Sequence, residues 1–401
     1  MTSLASVLDA LRRWPDVEAP NLVAVDAADR LLLDTAAVSI RSALSTGGAG
    51  AASTSGEGDE SSGGGGAAPG TVAVIGDGFG ALTLGLLELG ARDIRTHQDP
   101  LLGERALSAN AERLGLSGFV SHGLTAELVE DAALVLLRLP KSLDQLDEWA
   151  QLIAAHAAPD VVVLAGGMVK HMTLAQNEVL ARHFGSVQAG LARQKARVVT
   201  ASAPRASAAA PVTWPRTARL DPPGLTVVAH GGVFAGAALD IGTRFLLEHL
   251  DDAAPQAAAA IDLGCGTGVL AAALAQARPA IRVHASDQSA AAVASARATM
   301  QANGLADRVT VVRDDALGSL PEASAELILL NPPFHTGTTV TADVGIRLIA
   351  DAARVLAPGG ELRVVFNSHL RYQPTLRRLV GATRQVARNS KFTITSSIKG
   401  A

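Results

Sequence analysis

This 401-residue chain has little cysteine, few aromatic residues and no long apolar run. Its single cysteine, Cys265, excludes an internal disulfide and a cysteine-cluster metal site, which fits a reducing compartment. No apolar run approaches the roughly 18 residues of a membrane-spanning helix, and Asp and Arg interrupt the N-terminal segment, where a signal peptide would be uniformly apolar. Histidines lack metal-ligand spacing. We therefore expect a cytoplasmic, monomeric α/β protein that binds neither a metal nor a membrane.

The length predicts two or three domains, since one domain usually has about 100 to 200 residues. Residues 45–70 contain almost no bulky apolar side chains and are predicted to form a flexible insertion. Residues 201–224 are rich in proline and alanine and are predicted to link two domains, at 1–200 and 225–401.

The two halves have matching patterns. TVAVIGDGFG in the first half corresponds to AAIDLGCGTG in the second, and LVLLRLPKS corresponds to LILLNPPFH. In both halves short β-rich runs alternate with helical ones, which is typical of a parallel sheet covered by helices. The predicted fold is therefore two tandem Rossmann-like α/β domains, each a mostly parallel sheet flanked by helices, that arose by duplication.

A glycine turn in the second half predicts a nucleotide-like ligand. The buried strand AIDL leads into Gly264, Gly266 and Gly268, and a helix follows. Glycines allow a tight turn and a close backbone approach, and a helix N-terminus adds free N–H donors. Asp262 precedes the turn, and Asp287 ends the next strand, where a carboxylate can accept both hydroxyls of a ribose. These features favour S-adenosylmethionine over NAD, and the alternative is a turn that only tightens packing.

The next strand, RVTVVRDDAL, ends in Asp314 and Asp315. Either carboxylate could accept a hydrogen bond from the adenine amino group of the cofactor, and the other would cap the following turn. Cys265 lies inside the glycine turn, and it is interpreted as a small packing residue because no base is near it in the sequence.

The strand ELILL stops abruptly at Asn331, Pro332, Pro333 and Phe334. The Asn331 side-chain oxygen and the Pro332 carbonyl could accept the two hydrogens of an exocyclic amine and direct its lone pair toward a methyl donor. Proline fixes φ and so holds that carbonyl, and Phe334 could stack on an extruded base. The alternative, a proline-rich turn with a core phenylalanine, does not explain an asparagine at the carboxyl end of a central strand, where ligands bind in such sheets.

The charge distribution predicts contacts with phosphates. The net charge is −4, but the segment from Glu361 to Ala401 has eight Lys and Arg residues and only one acidic residue. A basic region on an acidic protein favours a nucleic-acid partner because phosphate contacts release counterions. The alternative is an arginine-rich solvated surface.

These motifs together resemble the bacterial ribosomal RNA guanine-N2 methyltransferases, which have two tandem class I methyltransferase domains. The resemblance rests on AIDLGCGTGVL, NPPFH and the degenerate first copy, and it covers nearly the whole chain. RLPKSLDQL, ARQKARVV and HGGVFAGAALDIGTRFLLEHL look like the large-subunit (23S) branch. NPPFH alone is also found in the 16S enzyme and, as Asn-Pro-Pro-aromatic, in adenine-N6 and glutamine-N5 methyltransferases.

The resemblance implies an S-adenosylmethionine-dependent methyltransferase that modifies rRNA, with 23S favoured over 16S. It assigns roles to several residues. Asn331, Pro332 and Phe334 would hold the guanine, Phe234 and Asp240 would close over the pocket, and the cofactor site would be lined by Asp262, Gly264, Gly266, Gly268, Asp287, Asp315 and Asn331.

The chain departs from the family pattern at the Gly/Ser-rich insertion and at the two aspartates after RVTVVR, where asparagine is more common. The alternatives are adenine-N6 or protein glutamine-N5 methylation and a non-catalytic RNA-binding assembly factor.

The first half is predicted to be a catalytically silent copy that helps bind RNA. It keeps Gly76, Gly78 and Gly80, and Asp99 stands near the position of Asp287. However, Val74 replaces Asp262, Phe79 replaces Thr267, and the substrate end has Arg138 and Lys141. A guanidinium cannot accept a hydrogen bond from an amine, so these two cations are expected to contact phosphates. One cofactor per chain is therefore expected.

Overall fold

The computed structural model of the chain describes residues 3–47, 71–205, 213–333 and 339–400. The chain divides into two compact units, Met1–Val212 and Thr213–Ala401. Most of the sequence-predicted insertion, residues 48–70, lies outside the described residues, and so does Phe334.

The first unit alternates strands and helices along the chain. Its helices are α1 (Leu4–Ala10), α2 (Ala27–Gly47), α3 (Ala81–Glu88), α4 (Leu101–Leu114), α5 (Ala126–Val129), α6 (Leu143–His156) and α7 (Leu174–His183). Its strands are β1 (Val72–Ile75), β2 (Ile94–His97), β3 (Phe119–Ser121), β4 (Leu134–Arg138), β5 (Val162–Met168), β6 (Phe184–Ala189) and β7 (Ala196–Pro204).

The described strands of the first unit form one seven-stranded sheet in the order β3-β2-β1-β4-β5-β7-β6. The first five are parallel, and β7 is antiparallel to both β5 and β6. The short run VAVI forms the central strand β1 because all four side chains are apolar, and all four are buried, as expected for a parallel strand with helices on both faces.

The second unit begins with the antiparallel pair β8 (Arg216–Leu220) and β9 (Leu225–Ala229). Its other strands are β10 (Ala259–Leu263), β11 (Arg282–Asp287), β12 (Val309–Arg313), β13 (Ala325–Leu330), β14 (Leu356–Asn367), β15 (Gly381–Arg388) and β16 (Phe392–Lys399). Its helices are α8 (Ile241–Leu247), α9 (Val269–Ala277), α10 (Ala290–Ala302), α11 (Thr339–Val355) and α12 (Gln373–Leu379). Because β7 reaches Pro204 and β8 begins at Arg216, the predicted linker 201–224 includes residues of two sheets.

The larger sheet of the second unit has the strand order β12-β11-β10-β13-β14-β16-β15 within the described residues. This order equals that of the first unit, and here too only the last two strands are antiparallel to their neighbours. The predicted fold class, two tandem mostly parallel sheets flanked by helices, is therefore confirmed.

The glycine turn of the second unit is held against its helices by close packing. A side chain at Gly268 would place its Cβ 2.7 Å from the Met300 methyl group and 3.1 Å from the Ala296 Cβ. Only glycine allows α9 to start this close to α10. The packing fixes the turn at the carboxyl end of β10, where the candidate site lies. Within the described ranges, no helix has the length and apolar character needed to cross a membrane.

Candidate active site

The candidate residues of the second unit meet at one edge of its sheet. In the register of the parallel strands, Leu263 of β10 lies opposite Ser286 of β11 and Leu330 of β13. The residues that follow these three are Gly264, Asp287 and Asn331. The structure therefore brings together the glycine turn, the predicted ribose carboxylate Asp287, and Asn331, the predicted acceptor of an amine hydrogen.

The glycine turn leaves its backbone accessible. Gly264, Gly266 and Gly268 have φ values of +73°, +53° and +78°, which strain any residue with a side chain. A Cβ built at Gly264 or Gly266 would meet no described heavy atom within 4 Å. The turn thus combines a left-handed backbone with open space beside it, as a site for a closely approaching ligand requires.

Asp287 is half-buried and braces this turn. Its Oδ2 accepts a hydrogen bond from the Gly266 N–H at 3.0 Å, and its Oδ1 accepts one from the Ser289 N–H at 3.0 Å. Each carboxylate oxygen has a second lone pair. Asp287 therefore holds the glycine turn from the position at which the sequence predicts the ribose contact.

Asp262 is buried beneath the turn with one oxygen unused. Its Oδ2 accepts a hydrogen bond from the Ala271 N–H in the first turn of α9, while its Oδ1 has no hydrogen-bond partner among the described residues. Burial, opposed by the Ala271 contact and assisted by the Asp287 charge, raises the pKa of Asp262 to about 7. An acceptor of this kind is suited to a donor group on a bound ligand.

The two aspartates after β12 have separate roles. Asp314 is buried and caps the following turn, since its Oδ2 accepts from the Ser319 N–H and Oγ–H at 2.8 and 2.7 Å. Asp315 pairs instead with Arg347 of α11, whose Nη1 donates to Oδ2 at 3.0 Å. The adenine contact predicted for Asp315 would have to use the lone pairs that Arg347 leaves free.

Asn331 follows β13 with its amide held in one orientation. Its Nδ2 donates to Asp240 Oδ2 at 3.1 Å and to Thr243 Oγ1 at 3.0 Å. Its Oδ1 is buried and accepts no hydrogen bond from any described residue. An unused, oriented acceptor at the end of a central strand can receive one hydrogen of an amine.

Of the residues predicted to hold the substrate base together with Asn331, the structure describes only the two prolines. Pro332 is buried and Pro333 is exposed. The stacking role of Phe334, outside the described range, remains a prediction. Cys265 is buried, and burial raises the pKa of its thiol well above the ordinary value, as expected for a packing residue.

Asp240 and Thr243, which precede the glycine turn in the sequence, also belong to this site. Sequence reasoning missed Thr243 and gave Asp240 a different role. Asp240 was expected to close over the pocket, but its carboxylate caps α8 and contacts Asn331. Thr243 was not singled out. Its signal was the spacing Asp240-x-x-Thr243, which is typical of a helix N-cap followed by the third helical residue.

The corresponding strand end in the first unit is closed by ion pairs. The Arg138 Nη1 lies 2.8 Å from Asp26 Oδ1 and 2.8 Å from Asp29 Oδ1. Burial disfavours the Asp26 carboxylate, but the contacts with Arg138 outweigh burial and lower its pKa to about 2. The expected phosphate contact of Arg138 is therefore wrong, because two acids of its own unit already hold the guanidinium. Lys141 is exposed, as a phosphate contact requires.

The residue that corresponds to Asp287 in the first unit is Gln98, not Asp99. The Gly76 N–H donates to the His97 carbonyl, as the Gly264 N–H does to the Ser286 carbonyl, so the next residue, Gln98, takes the position of Asp287. The Gln98 amide donates to the Asp77 carbonyl at 2.8 Å. The sequence comparison was off by one residue because β2 ends at His97, just before Gln98, whereas β11 includes Asp287 as its last residue.

The basic C-terminal segment is only partly a surface feature. Arg363 is fully buried and pairs with Glu361 and Asp252. Five basic residues are exposed and have no ion-pair partner within the described ranges: Arg371, Arg377, Arg378, Arg388 and Lys391. The surface available for phosphate contacts therefore has fewer basic residues than the eight counted in the sequence of this segment.

Comparisons with known proteins agree with this geometry. The family profile "Methyltransferase small domain" matches residues 224–396, and the "RLMG N-terminal domain" profile matches residues 59–205. "Ribosomal RNA large subunit methyltransferase G" of Streptomyces coelicolor is 39% identical over 82% of this chain and 88% of its own length. The Pseudomonas putida protein of the same name is also 39% identical, over 83% of this chain and 88% of its own. The chain belongs to this methyltransferase family.

The family membership confirms the resemblance drawn from the sequence. A solved T. thermophilus 16S rRNA N2 methyltransferase, in complex with AdoMet and guanosine, is 21% identical. It superposes with a TM-score of 0.67 and covers 93% of this chain and 92% of its own. At this identity the likeness supports the tandem methyltransferase fold.

Proposed function

We propose that this protein transfers a methyl group from S-adenosylmethionine to the exocyclic N2 of a guanine in 23S rRNA. One observation carries the proposal. Asn331 presents a buried, unused Oδ1 at the end of β13, beside a glycine turn that is open to a ligand. The names of the large-subunit relatives favour 23S over 16S rRNA.

The cofactor, when bound, supplies an electrophilic methyl group on a sulfonium. Asp287 would accept its ribose hydroxyls, Asp262 Oδ1 would accept from a donor group of its amino-acid part, and Asp315 would face the adenine amine. Gly264 and Gly266 would let the backbone approach it closely. These roles fit the open turn and the unused acceptors of the site.

The guanine amine is a poor nucleophile because its lone pair is delocalised into the ring. In the proposed mechanism Asn331 Oδ1 accepts one amine hydrogen, and the Pro332 carbonyl accepts the other. Positive charge develops on the nitrogen as the methyl group transfers, so both acceptors bind the transition state more tightly than the ground state. Phe334 would stack on the base.

The exposed cations of the second unit would contact RNA phosphates. Arg371, Arg377 and Arg378 lie in and just before α12, and Arg388 and Lys391 lie at the turn between β15 and β16. Having no acid to neutralise them within the described residues, they can neutralise phosphates and release counterions. Lys141 would contribute from the first unit, which we propose binds RNA without catalysis.

Methylation of purified rRNA with labelled cofactor tests the proposal. We expect label in 23S rRNA, and mass mapping should place it on guanine N2. The rRNA of a strain that lacks the gene should be without this modification, and the purified protein should introduce it in vitro. Label confined to 16S rRNA or to adenine would contradict the substrate assignment, and unlabelled RNA would contradict the activity.

A further inference from the structure

We propose that Asp240, with Thr243, is a positioning residue that fixes the Asn331 amide with its oxygen toward the substrate amine. The inference rests on the proposed function and adds a requirement to it. Asn331 must not only be present but must be prevented from rotating.

The chemistry of the contacts sets the amide orientation. A carboxylate only accepts hydrogen bonds, so the Asn331 atom 3.1 Å from Asp240 Oδ2 must be the NH₂ group. Rotating the amide by 180° would place Oδ1 against a carboxylate oxygen, which is repulsive. Thr243 Oγ1, at 3.0 Å, accepts from the same nitrogen. Both donors of the amide are thus used, and the oxygen is left for another molecule.

Asp240 is itself fixed by the helix it caps. The oxygen that contacts Asn331 also accepts from the Thr243 N–H at 3.0 Å, at the start of α8. Gly242 makes room for this arrangement. A Cβ there would lie 3.0 Å from Asp240 Oδ2 and 3.3 Å from Asn331 Oδ1. The helix end can therefore approach the asparagine without covering its oxygen.

An asparagine amide without these contacts would orient the substrate amine less well. Its two rotated forms differ little in energy in water, and one of them points NH₂ at the substrate amine, donor against donor. Each molecule in that form lacks the acceptor that orients the lone pair, so the productive fraction falls. The carboxylate of Asp240 removes this form.

The first unit gives independent support. Asp26 and Asp29 have the same spacing as Asp240 and Thr243, and they contact Arg138, which corresponds to Asn331. In both units, therefore, residues at the start of a helix (α2 or α8) contact the same position at the end of the strand (Arg138 or Asn331). Only in the second unit does the contact leave a side-chain acceptor without a hydrogen-bond partner among the described residues.

Three substitutions at position 240 separate capping from positioning. Asp240→Asn keeps an acceptor oxygen that reaches both Thr243 N–H and Asn331, so kcat should stay within about threefold of wild type. Asp240→Ser keeps the helix cap but is too short to reach Asn331. Its kcat should fall about tenfold or more, while KM for S-adenosylmethionine changes less than about twofold. Asp240→Ala should lose at least as much activity and also melt at a lower temperature.

The same Asp240→Ser change in an Asn331→Ala background tests whether the effect passes through Asn331. We expect no further loss of kcat there, measured with labelled cofactor. Asp26→Ser is the matched control, and it should lower thermal stability and leave kcat unchanged. Wild-type kcat in Asp240→Ser, or an equal loss in both backgrounds, would overturn the proposal. If Asn331→Ala keeps full activity, or the wild type methylates no guanine, the proposed function itself fails.

Discussion

The two units of this protein share a strand order and a polar cluster at the same strand end, but they use the cluster differently. In the first unit Arg138 is held by Asp26 and Asp29, so the contacts satisfy one another. In the second unit the contacts of Asn331 satisfy its nitrogen and leave its oxygen unused. The same strand order thus holds a closed ion-pair contact in one unit and, in the other, an acceptor without a described hydrogen-bond partner.

The glycine turns show the same contrast. A Cβ at Gly76 would lie 3.3 Å from the Arg138 Cβ and 3.4 Å from the Trp149 ring, whereas Gly264 has no described neighbour within 4 Å of that position. Beside the first glycine of the turn, the space is filled in the first unit and open in the second, whereas Gly78 and Gly266 both have open space. We propose that the first unit is catalytically silent and that each chain binds one cofactor.

The largest expected effect distinguishes the two strand ends directly. Asn331→Ala should lower kcat for rRNA methylation by about 100-fold or more, because the lost contact forms with the charge that develops in the transition state. Cofactor affinity should stay within about twofold, as measured by calorimetry. Turnover above a tenth of the wild-type value in the folded variant would assign Asn331 a structural role.

The ion pairs of the first unit should matter for stability. Arg138→Ala leaves Asp26 and Asp29 without their cation, so unfolding of this unit should become easier by about 2 to 4 kcal/mol. Chemical denaturation measures this change, with Lys141→Ala as the exposed control. If Arg138→Ala unfolds like the wild type but binds rRNA more weakly, the phosphate role that we rejected would be restored.

The cofactor carboxylate provides a third comparison. Asp287→Ala removes hydrogen bonds from a charged acceptor, each contributing roughly 1.5 to 3 kcal/mol, so the affinity for S-adenosylmethionine should fall at least tenfold. The corresponding change in the first unit, Gln98→Ala, should leave affinity unchanged. Calorimetric titration of the wild type should give one site per chain, and two equivalent sites would contradict the silent-copy proposal.

The exposed cations should have a smaller effect on RNA binding. Arg377→Ala with Arg378→Ala should weaken rRNA binding and reduce the slope of log affinity against log salt by about 1.5 to 2. Arg384→Ala is a control because this exposed arginine pairs with Asp252. A wild-type salt slope in the double variant would remove α12 from the RNA surface.

The smallest effect concerns pH. The folded state raises the pKa of Asp262 to about 7. The stability that the raised pKa of Asp262 gives to the folded state is complete at pH values below the ordinary carboxyl pKa. This stability is lost as the pH rises through about 7. In Asp262→Asn, melting temperature should therefore fall less between about pH 5 and pH 8 than in the wild type. Parallel curves would show that Asp262 does not titrate in this range.

The sequence alone was enough to predict the tandem fold. The matched strand, glycine turn and helix patterns fixed two parallel sheets, because the periodicity of buried residues and the positions of glycines are local properties of the chain. The same local reasoning placed Gly264, Asp287 and Asn331 at strand ends, and the parallel register brought them to one edge. The large-subunit family also followed from motifs in the sequence.

The tertiary structure decided which of these groups are available to a ligand. Asp240 lies 91 residues before Asn331, and Asp26 lies 112 residues before Arg138, so no local pattern shows either pair. Arg363 looks like part of a basic surface and is fully buried. The sequence gives the type of each side chain and its place on an element. Whether a charge is neutralised or an oxygen is left unused depends on partners that only the packed fold brings within hydrogen-bonding distance.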